Sequence, residues 1–555
     1  MIIGDTMDDI RIKVMGKEQT IQKGTTLLEL SKQFASEFHF AILGAFVNNT
    51  IKELDYAIHK PCEISFFDLT EKMGNLMYTH ALIYECILAI KRMFGRDKDV
   101  YVEHSIDKGI YMTTNFDINE ETMFQLEQEM HKITEENLPI KKVNTLRIDA
   151  IKYFESIGDF SKSRMLKYNT NTYISLYKLG GYYDYFFTAM PIETSCLTHF
   201  ELTCVEGRGF VLRFPTVHTE YIKEYRHHEA IFHVYKDYRK WQKTIGVENV
   251  SDLNQLIGDG KINDLIRMDE VVQNTKLLDL AKKISDERGK IRIVLIAGPS
   301  SSGKTTTTNK LCMYLSNYGL TPKMLSLDDY FKDRKDTPKK EDGSYDFESL
   351  EAVDIDLFDQ HVSKLLQGEN VLVPTFNFKQ AKKEFNKEMI LDKDDILLIE
   401  GIHCLNTKLL PSIPDENKFK IYLSPFTKIN LDSHNRFSTS DNRMLRRIVR
   451  DNRTRGTDVE GSLARWESVR DGEEKNIFPY QDNADYVFNT AFLYELGVLR
   501  TYVEPLLYSV DEDSKYYEEA KRLLNLIRVF LPIPSEAIPD DSILREFIGG
   551  SCFNS

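Results

Sequence analysis

The chain has 555 residues, 42% of them apolar, and a formal net charge of −14. That length suits about three or four domains, and the acidic balance argues against coating nucleic acid along the whole chain while leaving room for a local basic patch. The seven scattered cysteines form no CxxC pair, the N-terminus "MIIGDTMDDIRIKV" is acidic without an apolar signal core, and no apolar run approaches the ~18 residues of a membrane span; the expectation is a reduced cytoplasmic protein.

In chain order, "IRIKVM" alternates as a strand, and "GTTLLELSKQF" starts a helix with Thr26 and Glu29 at capping-box spacing. "AILGAFVNN" and "CEISFFDL" supply later strands, so the first 72 residues read as a small sheet-plus-helix domain. Residues 77–96 have helical periodicity and open a mixed α+β domain over 73–215, with a charged helix near "EETMFQLEQEMHKITEE". Residues 216–290 read as a helical connector, too rich in aromatics for a floppy linker. From 291 to 510 the pattern becomes strand–helix–strand, as in a parallel α/β domain. Residues 511–555 form a C-terminal helical extension around the amphipathic "SKYYEEAKRLLNLIRVFL".

The most informative stretch is "IVLIAGPSSSGKTTTTNKL". Gly298, Gly303, Lys304 and Thr305 fit G-x-x-x-x-G-K-[ST], between a predicted strand and a predicted helix. Successive N–H groups over Gly298, Pro299, Ser300, Ser301, Ser302 and Gly303 can wrap phosphate oxygens, and the helix through Lys304, Thr305 and Thr306 aims its positive end at them. Lys304 is expected on the β/γ-phosphates of ATP and the Thr305 hydroxyl on Mg²⁺. "DDILLIEG" is an apolar strand ending in Glu400, expected as a second acid that orients Mg²⁺ or its water.

An acceptor hydroxyl needs a carboxylate to take its proton. "MLSLDDYF" reads as a strand ending in Asp328 and Asp329; Asp328 is the preferred base, with Asp329 the alternative or a cap. "VPTFNF" places aromatics where they could stack on a base. In "NRFSTSDNRMLRRIVRDNRTRG", Arg443, Arg447 and Arg450 share a helix face and Arg455 ends it. Seven arginines lie here with two aspartates, which fits a mobile lid over ATP phosphates; an RNA-facing patch is the rival.

"GPSSSGKTT", "SLDDYF", "YDFE", "VPTFNF", "LLIEGI" and "RRIVRDNRTRG", in that order, resemble the uridine–cytidine kinase and phosphoribulokinase family. The resemblance implies a P-loop fold and γ-phosphoryl transfer to a nucleoside 5′-hydroxyl. It implies Asp328 as base, Lys304, Arg450 and Arg455 as charge-neutralising groups, and Arg447 on both ATP and substrate. It implies that Glu348 holds the ribose and that Phe331, Phe347 and Phe376 line the nucleoside. Phe376 stands where the family has a tyrosine, Ala381 where it has a base-reading histidine, and Thr457 where it has a second lid arginine, so the base stays open. A phosphoribulose-like or pantothenate-like acceptor and an RNA-responsive ATP-binding switch remain as alternatives.

The front of the chain resembles two modules of threonyl-tRNA synthetase, a β-grasp TGS domain and the second additional, editing-type domain. "THALIYECILAIKRMF", "ENLPI" and "GYYDYFFTAMPIETSCLTHFEL" carry the likeness. That family holds a metal with H-x-x-x-H and C-x-x-x-H pairs; here His80 remains while Tyr84, Phe186 and Met190 replace the other three. The resemblance therefore implies a lost zinc site and a front half kept for RNA, small-ligand or subunit contacts, with a homo-oligomer expected. Cys196, His199 and Cys204 offer a second grouping, but "SCLTHFELTC" alternates like a buried strand.

Overall fold

The computed structural model describes residues 9–340, 343, 345–346, 348–377 and 382–553. The chain is α/β and runs from small sheets at the front to a parallel sheet at the back. Strands Asp9–Val14, Lys17–Gln22, Gly44–Val47, Thr50–Glu53 and Glu63–Phe67 form one mixed sheet, with the first and last pairing in parallel. Thr26 and Glu29 make the expected reciprocal cap on helix Leu27–Ser31.

The next region wraps helix Lys72–Phe94 with a four-stranded and a three-stranded antiparallel sheet. Tyr84, Phe186 and Met190 are all buried in its apolar core. The Tyr84 hydroxyl donates to the Tyr182 carbonyl at 2.7 Å. The "SCLTHFELTC" reading needs correction: Thr194–Cys196 is a 3-10 turn, and only Glu201–Cys204 is strand, half-buried rather than buried.

Helices Glu229–Ile245, Val250–Gly258 and Ile262–Asp286 form the connector. It is firmly docked: Lys428 pairs with Asp269 at 2.9 Å, both fully buried, and Gln273 donates to the Ala491 carbonyl at 2.7 Å. A second buried cluster ties the α+β region to the parallel-sheet region. Lys162 lies 2.7 Å from Asp184, 3.3 Å from Asp159 and 3.6 Å from Asp432. No helix among the described residues is long and apolar enough to cross a membrane.

Five parallel strands build the back region in the order Thr321–Ser326, Asp395–Glu400, Ile293–Ala297, Lys418–Ser424, Tyr486–Asn489. All five residues of Ile293–Ala297 are buried, which explains its unbroken apolar run. Register matters for function. Ile296 pairs with Glu400, and Glu400 with Ser326, so three chain segments leave the sheet at the same edge. That edge, the carboxyl end of a parallel sheet, is where such folds place ligand chemistry. A hairpin, Val371–Asn377 with Lys382–Met389, stands beside it.

Candidate active site

The cradle is the turn from Gly298 to Gly303, followed by helix Lys304–Asn317. Two glycines are sterically required. A Cβ on Gly298 would lie 2.3 Å from the Leu423 carbonyl oxygen. Gly303 has φ +84°, and a Cβ there would lie 2.6 Å from Ile543. Lys304 Nζ donates to the Gly298 and Pro299 carbonyls at 2.9 and 3.3 Å, folding over the turn. Ser301 and Ser302 are buried, and their hydroxyls have no hydrogen-bond partner among the described residues. Thr305 and Thr306 open the helix as expected.

Ser300 is held on three atoms. Its N–H donates to Glu473 at 3.0 Å, its carbonyl accepts from Arg443 Nε at 2.9 Å, and its hydroxyl meets Arg447 at 3.0 Å. Glu473 is fully buried, pairs with Arg443, and also takes Arg470 at 3.1 Å. Thr490, just past the last strand, donates to the Ser302 carbonyl at 2.6 Å. No sequence motif marks Glu473 or Thr490.

Three acids lie within electrostatic reach of Lys304. Strand Thr321–Ser326 ends before the aspartates, correcting the sequence reading; Asp328 and Asp329 lie on the 3-10 turn Leu327–Tyr330 that follows. Burial raises the Asp328 carboxyl above its ordinary value, while Lys304 opposes the rise, Asp329 adds to it and Arg455 opposes it. Asp329 faces elsewhere: it accepts the Phe376 N–H at 3.0 Å and so anchors the hairpin. Glu400 ends its strand, and burial pushes its carboxyl up to about 7, against the pull of Lys304. Burial likewise pushes Glu348 up to about 7; neighbouring Glu473 adds to this, and Arg447 and Lys304 oppose it. A Cβ on Gly472 would lie 2.5 Å from that of Glu348, so helix Val459–Asn476 needs glycine there to let the acid approach. The Phe331 and Phe376 rings meet edge-on at 5.9 Å, both buried. Phe347 and Ala381 lie outside the described residues.

The arginine segment is a helix over Thr439–Arg455, capped by Ser438. Its apparent excess of positive charge is smaller than the local sequence shows. Arg443 and Arg446 are buried and paired with the distant Glu473 and Glu495, and Arg522 takes Asp441. Asp451 pairs with all of Arg447, Arg450 and Arg455, at 3.3, 2.8 and 3.6 Å. The surplus therefore sits in the second half of the helix, where Arg455 lies within electrostatic reach of Asp328 and Arg447 of Glu348.

With this geometry in place, the comparisons are specific. The Phosphoribulokinase / Uridine kinase family profile matches residues 293–492. A uridine kinase of Staphylococcus epidermidis is 31% identical over 197 residues, 35% of this chain and 86% of that protein. This chain belongs to the phosphoribulokinase/uridine kinase family. A threonine–tRNA ligase of Clostridium kluyveri is 27% identical over 172 residues. That match lies in the N-terminal region, covering 30% of this chain but only 27% of the ligase. A solved "Possible Uridine Kinase from Bacillus stearothermophilus" aligns at 18% identity and a TM-score of 0.27, over 39% of this chain and 98% of that one. Inside the matched domain fall the cradle, Asp328, Glu348, Glu400 and the arginine helix; residues from 493 onward lie outside it.

Proposed function

We propose that this chain is an ATP-dependent nucleoside kinase that transfers the γ-phosphoryl group of Mg·ATP to the 5′-hydroxyl of a uridine- or cytidine-like nucleoside. The observation that carries the reading is the cradle at the carboxyl end of the parallel sheet, where the segments bearing Asp328 and Glu400 leave the same edge, with all of Asp328, Glu348 and Glu400 within electrostatic reach of Lys304. A structural acid cluster has no need of a phosphate cradle next to it; a phosphoryl-transfer site needs both.

The residues divide the work. The turn Gly298–Gly303 and the amides opening helix Lys304–Asn317 receive the triphosphate. Lys304, Arg450 and Arg455 offset the charge that develops on the migrating group, and Arg447 bridges ATP and acceptor. Asp328 takes the hydroxyl proton; its raised pKa brings it closer to the range of an efficient base. Glu348 holds the ribose hydroxyls, and Phe331 and Phe376, with Phe347 of the same motif region, wall the base. Thr305 and Glu400 offer hard oxygen donors, the kind Mg²⁺ prefers, and bound Mg²⁺ would neutralise phosphate charge. The front half, with its ligase-like stretch, serves in this reading as an RNA or small-ligand contact region.

A phosphoryl-transfer screen tests the proposal. Protein, Mg²⁺ and ATP are offered each ribo- and deoxyribonucleoside, and monophosphate is detected directly. One clear product supports the reading. ATP binding without any nucleoside product would refute it, and sugar phosphates and then RNA-stimulated hydrolysis would be tried next.

A further inference from the structure

The end of the chain turns back onto the cradle. Ile543, Leu544, Phe547 and Ile548 are buried in the same core as the parallel sheet. Lys310, on the cradle helix, pairs with Asp541 at 2.7 Å. Arg453 of the arginine helix donates to the Phe547 and Glu546 carbonyls at 3.2 and 3.1 Å, and the Arg446 guanidinium lies over the Phe547 ring at 4.8 Å. These contacts aim one side chain inward. The Glu546 carboxylate accepts the backbone N–H of Thr306 at 3.1 Å.

Thr306 lies in the first turn of the cradle helix, so its N–H has no partner within the helix. It is one of the donors that a nucleotide phosphate requires. A carboxylate there supplies what a phosphate oxygen supplies, an anionic acceptor at the positive helix end. The unpartnered hydroxyls of Ser301 and Ser302 mark the adjoining turn as built for further polar contacts. Glu546 also adds to the negative field at Glu400.

We propose that Glu546 is a built-in competitor for the phosphate cradle, which sets the affinity for the triphosphate donor. This rests on reading the cradle as a nucleoside-triphosphate site. The carboxylate and an incoming phosphate cannot share the Thr306 amide, because both are acceptors and like charges repel. Four buried apolar anchors hold the segment, so the Glu546 side chain rotates away while its backbone stays. Arg453 grips that backbone through the Phe547 and Glu546 carbonyls and helps to hold it in place.

The test uses the full chain and titration calorimetry with three probes: ATP, inorganic tripolyphosphate and adenosine. Glu546→Gln and Glu546→Ala should each tighten ATP and tripolyphosphate about tenfold, the scale of one charge-assisted hydrogen bond. Adenosine, which lacks phosphate, should bind as in the parent chain. A melting curve for each variant verifies folding, and the pair of variants covers the failure of either one. Unchanged or weaker ATP binding in a folded variant overturns the proposal, as does equal tightening for adenosine. The two readings fail separately. Tightened ATP binding without any nucleoside product sinks only the kinase; monophosphate product with unaltered ATP affinity sinks only the competitor. If neither ATP nor tripolyphosphate binds the parent chain, both fall.

Discussion

Glu473→Gln tests whether the cradle is held from a distance. The parent carboxylate is fully buried, pairs with the buried Arg443, and accepts Ser300 N–H at 3.0 Å and Arg470 at 3.1 Å. A glutamine keeps the shape but offers one neutral oxygen in place of two charged ones, so at least one donor goes unmet and Arg443 loses its counter-charge. Breaking one side of a buried pair costs about 3–5 kcal/mol. The retained oxygen keeps one of the neutral contacts, so the lower end, ~3 kcal/mol, is expected. For a unit the size of the kinase domain that corresponds to a melting shift of about 6–12 °C. Ser300 is part of the cradle, so ATP affinity should fall as well. The assays are a thermal melt and ATP calorimetry on the full chain. Replacing both Arg443 and Glu473 with leucine should recover part of the melting temperature without recovering ATP affinity, because the charge problem is removed but the Ser300 anchor is not. A Glu473→Gln melt within about 1 °C of the parent, with unchanged ATP binding, would refute the reasoning.

Asp328→Asn should lower kcat by about 10²–10⁴-fold and leave ATP affinity nearly unchanged, since the amide keeps the shape but cannot take a proton; full turnover in that variant would remove the base assignment. Glu348 and Glu400 are held from 4.5 up to about 7, so each binds its proton more tightly in the folded chain. The stability they contribute is therefore complete below about 4.5 and is lost as pH rises through about 7. The double variant Glu348→Gln/Glu400→Gln should flatten that part of the melting-temperature curve; identical pH curves for variant and parent would show the acids are not responsible. Phe376→Ala should raise the nucleoside KM several-fold and lower stability by about 3 kcal/mol or more, because it removes a buried ring that meets Phe331 at 5.9 Å; an unchanged KM would place the acceptor elsewhere. Lys162→Met leaves Asp159, Asp184 and Asp432 without their shared cation, so limited proteolysis should cut between the α+β and kinase regions faster than in the parent; an unaltered digestion pattern would show that the cluster does not join them.

The parts of the site legible in sequence were those whose chemistry is local. The G-x-x-x-x-G-K-T turn declares itself because one short turn must satisfy phosphate, steric and helix-end demands together, and Gly298 and Gly303 sit where a Cβ would collide. Glu400 was readable because it follows an unbroken apolar strand, and the Thr26–Glu29 cap because its two hydrogen bonds span three residues. The "SCLTHFELTC" stretch misled because alternation alone does not say whether a partner strand exists; only its last four residues pair. The arginine count misled in part because Glu473 and Glu495, which neutralise Arg443 and Arg446, lie outside the segment where the arginines were counted.

The sequence by itself determined the strand–turn–helix of the cradle, the candidate acids and the resemblance to two families, all set by patterns within a few residues or by motif order along the chain. Tertiary structure decided which acids come within electrostatic reach of Lys304, and that Asp329 anchors the hairpin through Phe376. It also brought Glu473 to Ser300 across 173 positions and Glu546 to Thr306 across 240. The physical reason is that a buried backbone N–H requires an acceptor but places no constraint on how far along the chain that acceptor comes from. Packing of the parallel sheet and the returning C-terminal segment supplies the choice, and no local pattern records it.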